Sequence, residues 1–316
     1  MSDDKNPITA KDLNREIFGI FDEYVHSPMS RRDFLNRVSK VAPAGLAAGA
    51  IVEFLLPKYA QATQIAPDDD RLWSETISYT SVKGADTMNG LLTRPANAET
   101  KLPGIIVVHE NRGLNPHIED VARRAGIANF IALAPDALTP LGGYPGNDDA
   151  GRQLQRQRSA DDMLEDFIAA FWHLATHPEC SGHVGVVGFC FGGGIANQMA
   201  TRLPDLGAAV PFYGNEPPID EVPEIQAPLL LHFAELDNRI NAGWPAYEAA
   251  LQEHNKTYTA HIYAGMNHGF HNDTTPRYDE TSAVLAWERT IDFFDTHLRI
   301  PEDIPEGPTG RRRVVQ

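Results

Sequence analysis

Val184-Gly185-Val186-Val187-Gly188-Phe189-Cys190-Phe191-Gly192-Gly193-Gly194-Ile195 is the stretch that decides the fold. An apolar run arrives at a cysteine and leaves through small residues, which predicts a buried strand, a sharp turn and a helix. A turn this tight admits no bulk two positions to either side of its apex, because a Cβ there meets neighbouring backbone. Gly188 and Gly192 leave that room. Cys190 stands at the apex, where such a turn holds a nucleophile. A free cysteine is otherwise usually core filler, but the strand, the glycines and the helix all favour the nucleophile.

Partners for the thiol are sought at other strand ends. Ala227 to Phe233 reads as a strand with Asp237 in the loop beyond it, and Tyr258 to Tyr263 runs into the loop that carries His268. Active sites form at the carboxyl ends of parallel strands. The order nucleophile, acid, histidine is that of an α/β-hydrolase. One imidazole nitrogen of His268 would take the thiol proton while Asp237 fixes the tautomer through the other. Glu235 is the alternative orienting carboxylate. Gly104 to Val108 is a further buried run that stops at His109-Glu110, so Glu110 should face the same crevice.

Together these motifs resemble the dienelactone hydrolase family: His109-Glu110, the elbow from Gly188 to Gly193, Asp237 and His268-Gly269-Phe270, within a span of roughly 75 to 297. The resemblance implies an ester or lactone substrate and an acyl-enzyme on Cys190, with no cofactor or metal. His268 would act as base and then acid, and Glu110 would hold the thiol proton until substrate arrives. The same geometry implies an oxyanion hole from the backbone N–H groups of Phe191 and Asn111. Phe189, Tyr213 and Phe270 are the aromatic residues expected to line the substrate pocket. Family members grip a substrate carboxylate with arginines, one of them four residues past the catalytic histidine. Asn272 occupies that place, and an uncharged amide cannot form a bidentate pair with a carboxylate, so a different or broader ester is expected. Arg112, Arg152, Arg156 and Arg158 read as solvated helix faces. A thioesterase, a peptidase-like hydrolase and a non-catalytic thiol sensor are the alternatives on this fold. A zinc site drawn from His268, His271, His261 and His232 is a further one.

The remaining pattern predicts an α/β-hydrolase fold, a doubly wound and mostly parallel sheet with helices on both faces. Two strands, Thr76 to Val82 and Met88 to Arg94, precede alternating strands and helices. Ile127 to Ala134 and Gly207 to Phe212 are apolar runs of the kind covered on both faces. Helices are expected over Ile118 to Ala125, Arg158 to Thr176, Gly193 to Arg202, Ala246 to His254 and Asp279 to His297. In the second of these, Met163, Phe167, Phe171 and Leu174 form a core stripe. Cys180 and Cys190 bracket a strand and lie too far apart to bond to each other.

Residues 1–62 read as a leader. Ser30-Arg31-Arg32-Asp33-Phe34-Leu35 has the twin-arginine export pattern, Val41 to Ile51 is small and apolar, and Ala60-Gln61-Ala62 offers a cleavage signature. The expectation is a periplasmic or exported protein that engages the twin-arginine machinery. The alternative is a cytoplasmic protein with a retained N-terminal arm packed on a neighbour, in which Ile17, Phe18, Phe21 and Tyr24 share a helix face. The apolar stretch is too short for a membrane span. Residues 63–299 form the catalytic domain and 300–316 a tail carrying Arg311-Arg312-Arg313. A formal net charge of −16 argues against nucleic acid as a partner.

Overall fold

The structure, a computed structural model, describes residues 8–299. Its helices and strands follow in the order α1 (Arg15–His26), α2 (Arg31–Val41), α3 (Ala48–Leu55), α4 (Tyr59–Ala62), β1 (Leu72–Ser81), β2 (Asp86–Pro95), β3 (Leu102–Val108), α5 (Pro116–Ile127), β4 (Ile131–Pro135), α6 (Asp148–Gln155), α7 (Ala160–Ala175), β5 (Cys180–Phe189), α8 (Phe191–Arg202), β6 (Ala208–Phe212), β7 (Leu229–Ala234), α9 (Asn238–Asn241), α10 (Trp244–Glu253), β8 (Tyr258–Tyr263) and α11 (Glu280–Leu298). The eight strands make one sheet in the order β1-β2-β4-β3-β5-β6-β7-β8. β2 pairs antiparallel with β1 and β4, and every other pairing is parallel. This is the doubly wound, mostly parallel arrangement that the alternating pattern predicts.

β3 is buried along its whole length, because alternate side chains enter two different cores. Ile106 and Val108 pack with Met163 and Phe167 of α7 and Ile195 of α8. Ile105 and Val107 pack with Ile118 and Val121 of α5 and Phe294 of α11. Period-2 alternation on a sheet covered by helices on both sides leaves no polar face, so such strands carry no alternating signal.

Local differences from the expected elements have local causes. Ile127 ends α5 rather than opening β4, since Asn129 takes φ 68° and reverses the chain. α6 was not expected: its Asn147 cap, which accepts from the Ala150 N–H, starts a helix whose sequence is mostly polar. Arg112, Arg152 and Arg158 are buried rather than solvated. Arg158 Nη1 reaches the fully buried Asp166 at 2.7 Å.

Residues 8–62 form a helical unit with its own core, in which Ile17, Phe21, Phe34, Val38, Ile51 and Leu55 are buried. The side chain of Asn14 caps α1, and Ser30 caps α2 by accepting from the Asp33 N–H. The Arg-Arg pair therefore lies in the first turn of a folded helix, and Ala60-Gln61-Ala62 lies in α4. The unit packs on its own catalytic domain, at the carboxyl edge of the sheet. Tyr24 Oη donates to Asp149 Oδ2 at 2.7 Å, Tyr59 Oη to Asp148 Oδ1 at 2.6 Å, and Asn111 Nδ2 to the Val25 carbonyl at 2.6 Å. Arg156 donates to the Ser27 carbonyl. Arg311-Arg312-Arg313 and the rest of the expected tail lie outside the described residues.

Candidate active site

β5 delivers Cys190 to the carboxyl edge with φ 59° and ψ −113°, a conformation that L residues rarely adopt and that costs about 1–3 kcal/mol. Glycine makes the turn possible: a Cβ on Gly188 would strike the Gly192 carbonyl, and one on Gly192 would strike the Val108 carbonyl. Cys190 caps α8, which points the positive end of its dipole at the sulfur. The thiol is 8% exposed. Cys180 and Cys190 are both free. Among the described residues, the backbone N–H groups of Phe191 and Asn111 donate to no other protein group, which leaves both free for a developing oxyanion.

β7 ends in a turn where Asp237 caps α9, and β8 ends in the loop that carries His268. Asp237 Oδ2 accepts from His268 Nδ1 at 2.5 Å, so the proton sits on Nδ1 and Nε2 is left to act. That Nε2 is buried and has no hydrogen-bond partner. Burial pushes the His268 imidazole down, but Cys190 and Asp237 beside it raise it to about 10. Burial raises the Cys190 thiol, and the His26 and His268 imidazoles more than reverse this, holding it at about 5. Glu235 accepts from the Gly265 N–H at 2.6 Å and so braces the loop instead of orienting the histidine.

Glu110 reaches the same edge but has other partners. Arg112 Nη2 lies 3.2 Å from Glu110 Oε2, and Asn272 Nδ2 donates to the same oxygen at 3.0 Å. Burial raises this carboxyl, whereas Arg112, His117 and Arg277 hold it down at about 2. The thiol does not hydrogen-bond to Glu110, contrary to the expectation. Asn272 is a structural ligand of that carboxylate.

The thiol's hydrogen-bond partner is His26, from the last turn of α1, with Nε2 3.2 Å from Cys190 Sγ. His26 Nδ1 lies 2.7 Å from the Asp22 carbonyl and 3.2 Å from Asp22 Oδ1. The His26 ring stands edge-on to that of His268, with centroids 4.7 Å apart. Sequence reasoning missed His26 because only its i,i+4 spacing from Asp22 is local. Its approach to Cys190 depends on how α1 docks.

Phe189 and Phe270 are fully buried in the core on the α5 and α11 side, against Phe212 and Tyr263 respectively. Strand alternation puts Phe189 on the same face as Val187, away from the crevice. Tyr213 is also fully buried, its ring 4.8 Å from that of His268. None of the three lines the cavity of 480 Å³ beside His268. That cavity runs between α1, with Arg15, Phe18 and Asp22, the start of α9, with Asp237 and Arg239, and the loop bearing Arg277. Its cations thus come from positions other than 272.

Among the described residues, His26, Cys190 and His268 bring one donor atom each within 4.8 Å of one another, a spacing suited to a metal ion. The Arg239 guanidinium lies 3.2 Å from His26 Nε2, so any ion held there would sit beside a fixed positive charge. The histidines at 232, 261 and 271 do not join this group. His232 Nδ1 pairs with the Tyr263 hydroxyl at 3.0 Å, and the His271 ring stacks on Phe189.

Comparison with known proteins bears on the family and the fold. The profile described as "Dienelactone hydrolase family" matches residues 88–298, and one described as "YqhI-like" matches residues 5–42. The "Putative hydrolase fragment YghX" of Escherichia coli is 53% identical over 112 residues, covering 35% of this chain and 96% of that protein. The "Probable 2-oxo-3-(5-oxofuran-2-ylidene)propanoate lactonase" of Bradyrhizobium sp. is 32% identical over 222 residues, covering 66% of this chain and 88% of that protein. A crystal structure titled "Putative Dienelactone Hydrolase", from Klebsiella pneumoniae, superposes with a TM-score of 0.62 at 27% identity, covering 71% of this chain and 98% of that one. With a strand-to-helix elbow, an acid and a histidine at one sheet edge, and a profile match over most of its length, this chain belongs to the dienelactone hydrolase family, whose members hydrolyse ester and lactone bonds.

Proposed function

We propose that Cys190 is the nucleophile of this ester or lactone hydrolase and carries the acyl group as a thioester. The observation that supports this most is the geometry of a thiol on a strained elbow, 3.2 Å from His26 Nε2 and beside a His268 whose Nδ1 is bonded to Asp237 at 2.5 Å. These imidazoles hold the thiol down at about 5. A thiolate at neutral pH is a competent nucleophile. Sγ attacks the carbonyl carbon, and the N–H groups of Phe191 and Asn111 receive the oxyanion. His268 gives a proton to the leaving alcohol and then takes one from the water that cleaves the thioester.

The cavity beside His268 holds Arg15, Arg239 and Arg277 against Asp22 and Asp237, which suits a polar and compact ester. Mixing wild type and Cys190→Ala with a chromogenic short-chain ester tests the reading. Wild type should show a burst and an acyl adduct by intact mass, and Cys190→Ala should show neither, with turnover lower by about a hundredfold or more. Equal turnover in both proteins would remove Cys190 from the chemistry.

A further inference from the structure

We propose that His26 is a second catalytic histidine, brought to Cys190 by the N-terminal helical unit, and that this unit stays on the working enzyme. The inference rests on Cys190 being the nucleophile. Its carrying observation is that the thiol's hydrogen bond goes to His26 Nε2, at 3.2 Å, while His268 Nε2 is buried with no partner. The tautomer of His26 is fixed from behind. Its Nδ1 faces two acceptors of Asp22, the carbonyl at 2.7 Å and Oδ1 at 3.2 Å. Nδ1 therefore carries a proton and Nε2 can accept one. Asp22 is itself anchored, with Arg277 Nη1 3.5 Å and Arg239 Nε 3.8 Å away. This repeats, on a separate element, the carboxylate-to-imidazole relation of Asp237 and His268.

Two imidazoles divide the proton work. At neutral pH the Cys190 proton already rests on His26 Nε2 and the electron pair on Sγ, which bonds to the acyl carbon. The ester C–O bond then breaks, and the leaving oxygen takes its proton from His268. A water gives one proton to His268 and its hydroxyl to the acyl carbon. Sγ leaves with the pair and returns to its ion pair with the protonated His26. His26 thus takes the place at the thiol that the family resemblance assigns to Glu110, which Arg112 and Asn272 occupy instead.

Docking of the unit is specific at this point. Asn111, whose backbone N–H is one of the two proposed oxyanion donors, donates its side-chain amide to the Val25 carbonyl next to His26 at 2.6 Å. Tyr24 is gripped by Asp149 and by Arg152, whose guanidinium lies 4.3 Å from the ring centroid. Cleavage after Ala62 would remove His26, these contacts and one wall of the cavity.

The test is alkylation of Cys190 by iodoacetamide in the full chain, from about pH 4 to pH 9, with peptide mapping to separate it from Cys180. The groups facing His26 are Asp22, Cys190, Arg239 and His268. In His26→Ala the rate at neutral pH should fall about tenfold, the midpoint should move upward, and added imidazole should restore the rate. An unchanged rate and midpoint would overturn the proposal, as would a slow variant that imidazole does not rescue. Should His26→Ala fail to fold, His26→Gln serves, and a wild-type midpoint there overturns the proposal. Alkylation needs no turnover, so it separates this inference from the acyl-enzyme reading: acylation of Cys190 with His26-independent alkylation would sink only the role of His26.

Discussion

At the residue scale the elbow depends on absent side chains. A methyl on Gly188 would meet the Gly192 carbonyl, a backbone atom that cannot swing aside. Gly188→Ala should therefore destabilise the protein by about 3 kcal/mol or more, read by urea unfolding. If the variant unfolds at the wild-type midpoint, the close approach is not what glycine serves there. Glu110 makes a prediction about pH. Its folded value, about 2, lies below its ordinary 4.5, so its ionised form stabilises the fold above the ordinary value, and this contribution disappears as pH falls through about 2. Wild type should accordingly be more stable than Glu110→Gln near neutrality, the gap closing in acid, as thermal unfolding across pH would show. A constant gap would mean that the carboxylate's charge is not what Arg112 holds. The placement of Cys190, Asp237 and His268 at one sheet edge was legible because each sits beyond a strand end marked by glycine or by an abrupt polar residue. The partners of Glu110 were not, since Arg112 Nη2 and Asn272 Nδ2 reach it by folding, the second across 162 residues of chain.

At the element scale, the strands and long helices follow from their own sequence, and the errors sit at their ends. Asn129 in the left-handed region moved the start of β4, a backbone choice that asparagine permits but does not require. α1 is the element whose meaning changed most. Its apolar face, Ile17, Phe21 and Tyr24, was visible as a helix stripe, and that stripe packs with Phe34 of α2; the Tyr24 and Phe34 ring centroids are 4.3 Å apart. The polar edge, Asp22 and His26, points at Cys190. If the unit works on the enzyme, intact mass of the protein isolated from its native host should include residue 26 in the active fraction. An active species beginning near residue 63 would contradict retention.

At the scale of the whole molecule, a two-sided sheet domain meets an N-terminal unit with a third core. The sheet and its helices bury large apolar clusters on both faces, whereas the N-terminal unit joins them largely through polar contacts: Tyr24 to Asp149, Tyr59 to Asp148, Arg277 to Asp22. Contacts of this kind are weakened by salt, and segments held by few apolar contacts open before the core does. Native-state hydrogen exchange should thus find α1 amides opening at lower free energy than those of β3 and β5, with exchange in α1 faster in high salt. Equal protection in all three would mean that the unit is part of a single cooperative fold.

What the sequence determined by itself is local in origin. Apolar runs of strand length, glycines around one cysteine and polar residues at strand ends specify a parallel sheet with Cys190, Asp237 and His268 along one edge, because backbone sterics and hydrophobic periodicity act over a few neighbouring residues. What only the tertiary structure decided is which side chains meet across long separations. His26 reaches Cys190 over 164 residues, and Arg277 reaches Asp22 over 255. Such contacts depend on how separately formed helices dock, and docking is set by the summed shape and charge of two surfaces, which no short stretch of chain encodes.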